Sequence, residues 1–202
     1  MPNWVQTRIK VNGEKENVEK VLDAVFSINQ EGQKKFDLNK IFPMPDEIRN
    51  TEADNSKRPE LVEKYDANDW YEWSVKNWGT KWNTDRNSFY EEENIISFQT
   101  AWSFPEPILE YLSNFEDVAF QILYADEDRG NNLGAFLIQH GNIGVCDDFE
   151  NMSERQSMKI ADNIWEYKLD KIFNKYTPID EKFLIKKEQV IDKEVEFPQL
   201  MI

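Results

Sequence analysis

The sequence predicts an α+β fold in which an antiparallel sheet carries helices on one face. Two observations predict it: apolar alternation with period two recurs in separate stretches, and helical stretches fall between them in a strand, helix, strand, strand, helix, strand order. A third observation is that 202 residues, 40% of them hydrophobic and 13% aromatic, can bury a sizeable core.

Residues 5–11 alternate, with Val5, Thr7, Ile9 and Val11 pointing one way and Gln6, Arg8 and Lys10 the other. This is a strand with one face toward a core and one expected in water. Gly13 ends it, and Val18, Val21, Leu22, Val25 and Phe26 follow at helical spacing. Residues 32–58 are polar and interrupted by Pro43 and Pro45, so they read as a connection with extended pieces. Pro59 suits a first helical position, and Leu61, Tyr65, Trp70 and Trp73 give a helix over about 59–77 an inward face. "GTKWNTDR" (79–86) and "NIISFQTAW" (94–102) read as two strands joined by a polar turn at 87–94. A short helix with Ile108, Leu109 and Leu112 inward comes next. A strand with Val118, Phe120, Ile122 and Tyr124 on one face follows, and "NLGAFLIQH" continues as one more strand.

That order is the split βαβ pattern of a two-layer ferredoxin-like antiparallel sheet with an added strand, an inserted helix and a C-terminal helix. Residues 1–150 are expected to form this domain. Residues 151–202, an amphipathic helix from an N-cap at Ser153 to about Tyr176 and then a tail, are expected to pack on it through Ala161, Trp165, Leu169, Ile172 and Tyr176.

The formal net charge of -15 disfavours direct nucleic-acid binding, because phosphates would meet like charge, and favours a basic partner. A single cysteine, Cys146, and a single histidine, His140, exclude an intramolecular disulfide and the usual zinc ligand sets. Their sequence neighbourhood suggests a partly buried structural pair. No run of about 18 apolar residues spans a membrane and "MPNWVQTRIK" lacks the apolar core of a signal peptide, so the expected location is the bacterial cytoplasm. No cofactor motif, metal-ligand spacing or catalytic residue set is present; the turn at Asp126, Glu127 and Asp128 is explained by turn chemistry. The oligomeric state is open.

Four ordered motifs, "MPNW" (1–4), "IFPMP" (41–45), "NWGTKW" (77–82) and "TAWSFPEP" (100–107), resemble the YubB-type ferredoxin-like proteins of phages, plasmids and related mobile elements. The resemblance covers roughly residues 1–140 and departs from the family at Val5, where cysteine often follows the tryptophan. It implies the fold and a mobile-element origin, and no activity.

Two ends of the sheet are candidate sites. In a 4-1-3-2 strand order the signature motifs converge at one edge. Trp4, Asn77, Trp78, Lys81, Trp82 and Trp102 are therefore ligand-binding candidates, either an aromatic plug of the core or an aromatic-lined site with Lys81 and Asn77 as polar handles. Gly79 would ease the chain into its strand. The opposite end is expected to collect Glu91, Glu92, Glu93, Glu116, Asp117, Asp147, Asp148 and Glu150. Residues 87–151 hold thirteen Asp and Glu against Arg129 alone, -12 of the total charge. Those carboxylates are either solvated turns or a docking surface for a basic or nucleic-acid-binding protein partner. The sequence favours a non-enzymatic accessory protein using that acidic end, and leaves open a small-molecule or enzymatic site at the tryptophan end.

Overall fold

A computed structural model describes residues 3–28, 32, 34–54, 56–84, 89–91, 94–146, 149 and 152–179, with only the backbone described at 89–91, 170 and 171. The fold is ferredoxin-like and α+β. Strand β1 (Trp4–Asn12) leads into helix α1 (Lys15–Val25), and a small hairpin of β2 (Phe26–Ile28) and β3 (Lys34–Phe36) stands apart from the main sheet. Four helices follow: α2 (Leu38–Ile41), α3 (Asp46–Arg49), α4 (Pro59–Tyr65) and α5 (Trp70–Trp78). The remaining elements are β4 (Phe89–Glu91), β5 (Ile95–Ala101), α6 (Ile108–Ser113), β6 (Ala119–Asp126), β7 (Leu133–Gln139), β8 (Asn142–Val145), α7 (Glu154–Trp165) and α8 (Asp170–Tyr176).

The main sheet is antiparallel in the order β4-β5-β1-β6-β7-β8. Its first four strands are the ferredoxin-like arrangement, and β7 and β8 extend it beyond β6. β1 is central: Ile9 faces Ile96 of β5 on one side and Ile122 of β6 on the other. Val5, Ile9 and Val11 bury against α1 and α6 together with Val21, Val25, Leu112, Phe120 and Ile122. The inward set expected of β1 is thus the core set.

Several expectations are corrected. Residues 79–84 form no strand, since they hold a helix cap and a bend, and β4 begins at Phe89. The hairpin pairs Glu91 with Ile95 and turns through Asn94 in left-handed backbone (φ 59°), later than expected. The expected helix over 59–77 is two helices. Asp66 adopts left-handed backbone (φ 53°) and ends α4, and the Asp69 carboxylate accepts from the Tyr71 and Glu72 N–H groups to start α5. The polar connection of 32–58 holds β3, α2 and α3, with Asp37 capping α2. β8 is a further strand the alternation did not reveal, four residues long and exposed throughout. The expected C-terminal helix also divides, at Tyr167 (φ 62°), into α7 and α8.

The largest correction concerns the face of β1 expected in water. Gln6 and Arg8 are buried, Arg8 to 4% exposure, because α7 and α8 lie over that face and add a third layer. Ile160, Ala161, Ile164, Leu169, Ile172 and Phe173 meet Ile95, Leu123, Ala125 and Ala135 of the sheet. The polar residues beneath serve the helix ends. The Arg8 guanidinium donates through Nε to the Ile164 carbonyl at 3.1 Å and through Nη1 to Ser97 Oγ, and lies 4.6 Å from the centre of the Tyr167 ring. A cation there satisfies carbonyls that the last turn of α7 leaves unpaired and meets the negative end of its dipole. Gln121 does the same for α8, donating Nε2 to the Phe173 carbonyl at 3.3 Å. Trp165, which the sequence placed on the buried stripe, is half-buried, and its indole N–H donates to the Ala125 carbonyl at 3.1 Å.

Candidate functional site at the tryptophan end

α5 delivers the first part of the site. It ends at Gly79, whose left-handed φ of 72° is the helix C-cap; a Cβ there would lie 2.8 Å from Pro107 Cδ. This corrects the expected role of Gly79 as entry to a strand. The chain then runs along the end of β5 through side-chain bonds. Ser103 Oγ donates to the Gly79 carbonyl at 2.5 Å, Thr80 Oγ1 to the Ala101 carbonyl at 2.7 Å, and Ser74 Oγ to the Lys81 carbonyl at 2.8 Å. The backbone on either side of Lys81 is therefore fixed while its side chain extends outward.

Trp102 supplies the second part. It follows β5 in left-handed backbone (φ 71°), a conformation costly for a bulky aromatic residue. Two hydrogen bonds hold it: its N–H donates to the Asn3 carbonyl at 2.9 Å, and its carbonyl accepts from Asn132 Nδ2 at 3.1 Å. Its indole stays 45% exposed, beside Trp82 at 38%. The Lys81 ammonium lies 4.6 Å from the centres of the Trp82 and Trp102 rings and 5.7 Å from that of Tyr71. Tyr71 meets Trp102 edge to face, with centres 6.4 Å apart. Three rings thus converge on one cation at the protein surface.

Of the six residues expected at this end, Lys81, Trp82 and Trp102 come together. Trp78 does not join them. It is 6% exposed, packs edge to face on Trp73 and donates its indole N–H to the Phe42 carbonyl at 2.9 Å, so it is core. Asn77 donates Nδ2 to the Trp73 carbonyl of its own helix at 2.9 Å, which ties that amide to α5. Trp4 is half-buried and holds Glu127 through its backbone: its N–H donates to Glu127 Oε1 at 2.9 Å and its carbonyl accepts the Glu127 N–H. Tyr71 was missed. The signal for it was the Asp69–Glu72 spacing, a helix start that puts Tyr71 in the first turn of α5 beside the loop.

The acidic end is described only in part. Glu92, Glu93, Asp147, Asp148 and Glu150 lie outside the described residues, and Glu91 is described as backbone in β4. Glu116 and Asp117 lie in the turn before β6, at the end of the sheet away from the tryptophans. With Asn17 and Lys20 they line a shallow depression, so a cation shares their surface. Asp126 lies at the tryptophan end instead. It is buried, and its carboxylate accepts from the Asp128 N–H and from Asn132 Nδ2.

Among the described residues no group of three or more His, Cys, Asp or Glu is placed to hold a metal ion. His140 and Cys146 do not form the expected pair. The four residues of β8 separate them, and His140 is exposed in a turn with φ 53°. Among the described residues no helix is long and apolar enough to cross a membrane.

Residues 77–168 match the family model described as the ferredoxin-like domain in Api92-like protein. That range takes in Lys81, Trp82, Trp102 and α7, and leaves out β1, a central strand of the sheet, and α1. A crystal structure of a protein api92 from Yersinia pseudotuberculosis is similar at 15% identity and a TM-score of 0.39, over 58% of this chain and 42% of that one. This chain thus spans less than half the length of that protein. No curated protein matches the sequence.

Proposed function

We propose that the chain is a non-enzymatic binding module that docks a basic protein partner through the rings of Tyr71, Trp82 and Trp102 around Lys81. The observation that carries the reading is the exposure of two indoles in a fixed frame, Trp102 being held in a backbone conformation that costs free energy. Two exposed Trp beside a half-buried Tyr on a rigid base match the composition of interface hot spots, where large rings contribute contact area with little loss of side-chain freedom. The net charge of -15 supports a basic partner over a nucleic acid. The resemblance to mobile-element proteins makes an accessory role in a bacterial cytoplasm the setting for such contacts. A basic protein that itself grips nucleic acid is one partner of this character.

The test compares wild type with a Trp82→Ala, Trp102→Ala double variant in capture from a bacterial lysate at low and moderate salt. Because both tryptophans lie at the surface outside the two buried cores, the double variant is expected to keep most of its melting temperature and lose a salt-sensitive partner that wild type retains. A partner kept by the double variant and lost when Glu116 and Asp117 are changed to Lys would move the contact to the acidic end. If wild type retains no salt-sensitive partner, the reading is wrong.

A further inference from the structure

We infer that the three rings around Lys81 form a cation-exchange site: a guanidinium or ammonium group of a partner enters between Trp82 and Trp102 and displaces the protein's own Lys81. The inference rests on the docking reading and names the chemical group that makes the contact.

The aromatic faces carry negative potential, and here three of them are aimed at one point on the surface. The point is occupied by a cation, which reports what chemistry it prefers. In a chain with 39 Asp and Glu, no carboxylate among the described residues is within ion-pair distance of that ammonium. Lys81 is therefore held by rings and can leave without stranding a counter-ion. Its backbone is pinned through its carbonyl by Ser74, whereas its side chain has four rotatable bonds and a short path to water. Trp102 stays in place when the lysine swings out, because Asn3 and Asn132 fix its backbone. Charge complementarity selects the occupant. The excess of 15 negative charges draws cations toward the surface and opposes an anion that would pair with Lys81.

A tethered lysine competes with any incoming cation at an effective concentration of about a millimolar or more. Removing it should open the site. The experiment titrates tetramethylammonium chloride, and separately an acetylated arginine amide, into wild type, Lys81→Ala and Lys81→Gln, with sodium chloride keeping ionic strength constant. The readout is the NMR shift of the Trp82 and Trp102 indole N–H groups. The expected result is binding about tenfold tighter or more in both Lys81 variants, confined to those two indoles and abolished in a Lys81→Ala, Trp102→Ala variant. Using two replacements keeps the result decisive should one of them disturb the loop. Equal or weaker binding than wild type in both variants overturns the inference. So does a wild-type response to acetate or phosphate that disappears with Lys81, which would make the lysine an anion receptor. Failure here leaves the docking reading standing if partner capture still depends on Trp82 and Trp102. Loss of that dependence with a functioning cation site would have the opposite meaning.

Discussion

Tyr124 shows how one side chain at this end couples packing to pH. Its ring stacks on Phe104, with centres 4.7 Å apart, and covers Gly134, where a Cβ would lie 2.6 Å from the phenol oxygen. Burial, and then the Glu106 carboxylate, push the phenol above its ordinary value, since both disfavour phenolate. A group whose pKa is raised by folding contributes stability that is fully present below its unfolded value. That stability is lost as pH rises through the folded value. The melting temperature is therefore expected to hold up to about pH 10 and fall above it, and Tyr124→Phe should flatten part of that alkaline fall. An unchanged pH profile in the variant would show that other groups control it. Trp102 and Gly79 are also single residues with an outsize effect on placement. Each uses left-handed backbone, the glycine without penalty and the tryptophan against one.

At the scale of elements, the third layer depends on polar residues of β1 and β6 that close the ends of α7 and α8. Arg8→Met keeps much of the apolar stem and removes the donors to Ile164 and Ser97. The expected cost is about 2 to 4 kcal/mol, read as a lowered denaturation midpoint, because buried acceptors lose charged donors. Arg8→Lys is expected to restore only part of it, since one ammonium cannot span the same acceptors. A midpoint within about 0.5 kcal/mol of wild type would show that the layer is held by its apolar contacts alone. The alternation of β1 was legible, and its polar side was misread as solvent for a physical reason. Gln and Arg satisfy helix carbonyls as well as water does, and a strand's own sequence does not say which is above it. The division of the 59–77 stretch was legible in part, through Asp69 and Glu72, whereas Asp66 in left-handed backbone gives no pattern to read.

Across the whole molecule, the sheet separates two cores, one under α1 and α6 and one under α7 and α8. A chain ending at Glu150 would expose Ile95, Leu123, Ala125 and Ala135 together, an apolar patch of the kind that drives association. Such a truncation is expected to lose stability and self-associate in sedimentation. A monomeric product with an unchanged melting temperature would mean that the second core contributes nothing to the first.

What the sequence by itself determined was the α+β class and the ferredoxin-like order of β1, α1, β5, α6 and β6, because period-two and helical patterns are local. The meeting of Lys81, Trp82 and Trp102 was expected from a strand beginning at Gly79, and it comes instead from a loop held on β5 by side-chain bonds. Only the tertiary structure decided which tryptophans are buried and which are presented. Trp78 and Trp82 lie in the same six-residue motif, yet one donates to Phe42 in the core and the other stands over Lys81 in water. The difference comes from a helix ending at Gly79, from bonds to β5 and from the strained backbone of Trp102. These are contacts between residues far apart in the chain, and no local pattern encodes them.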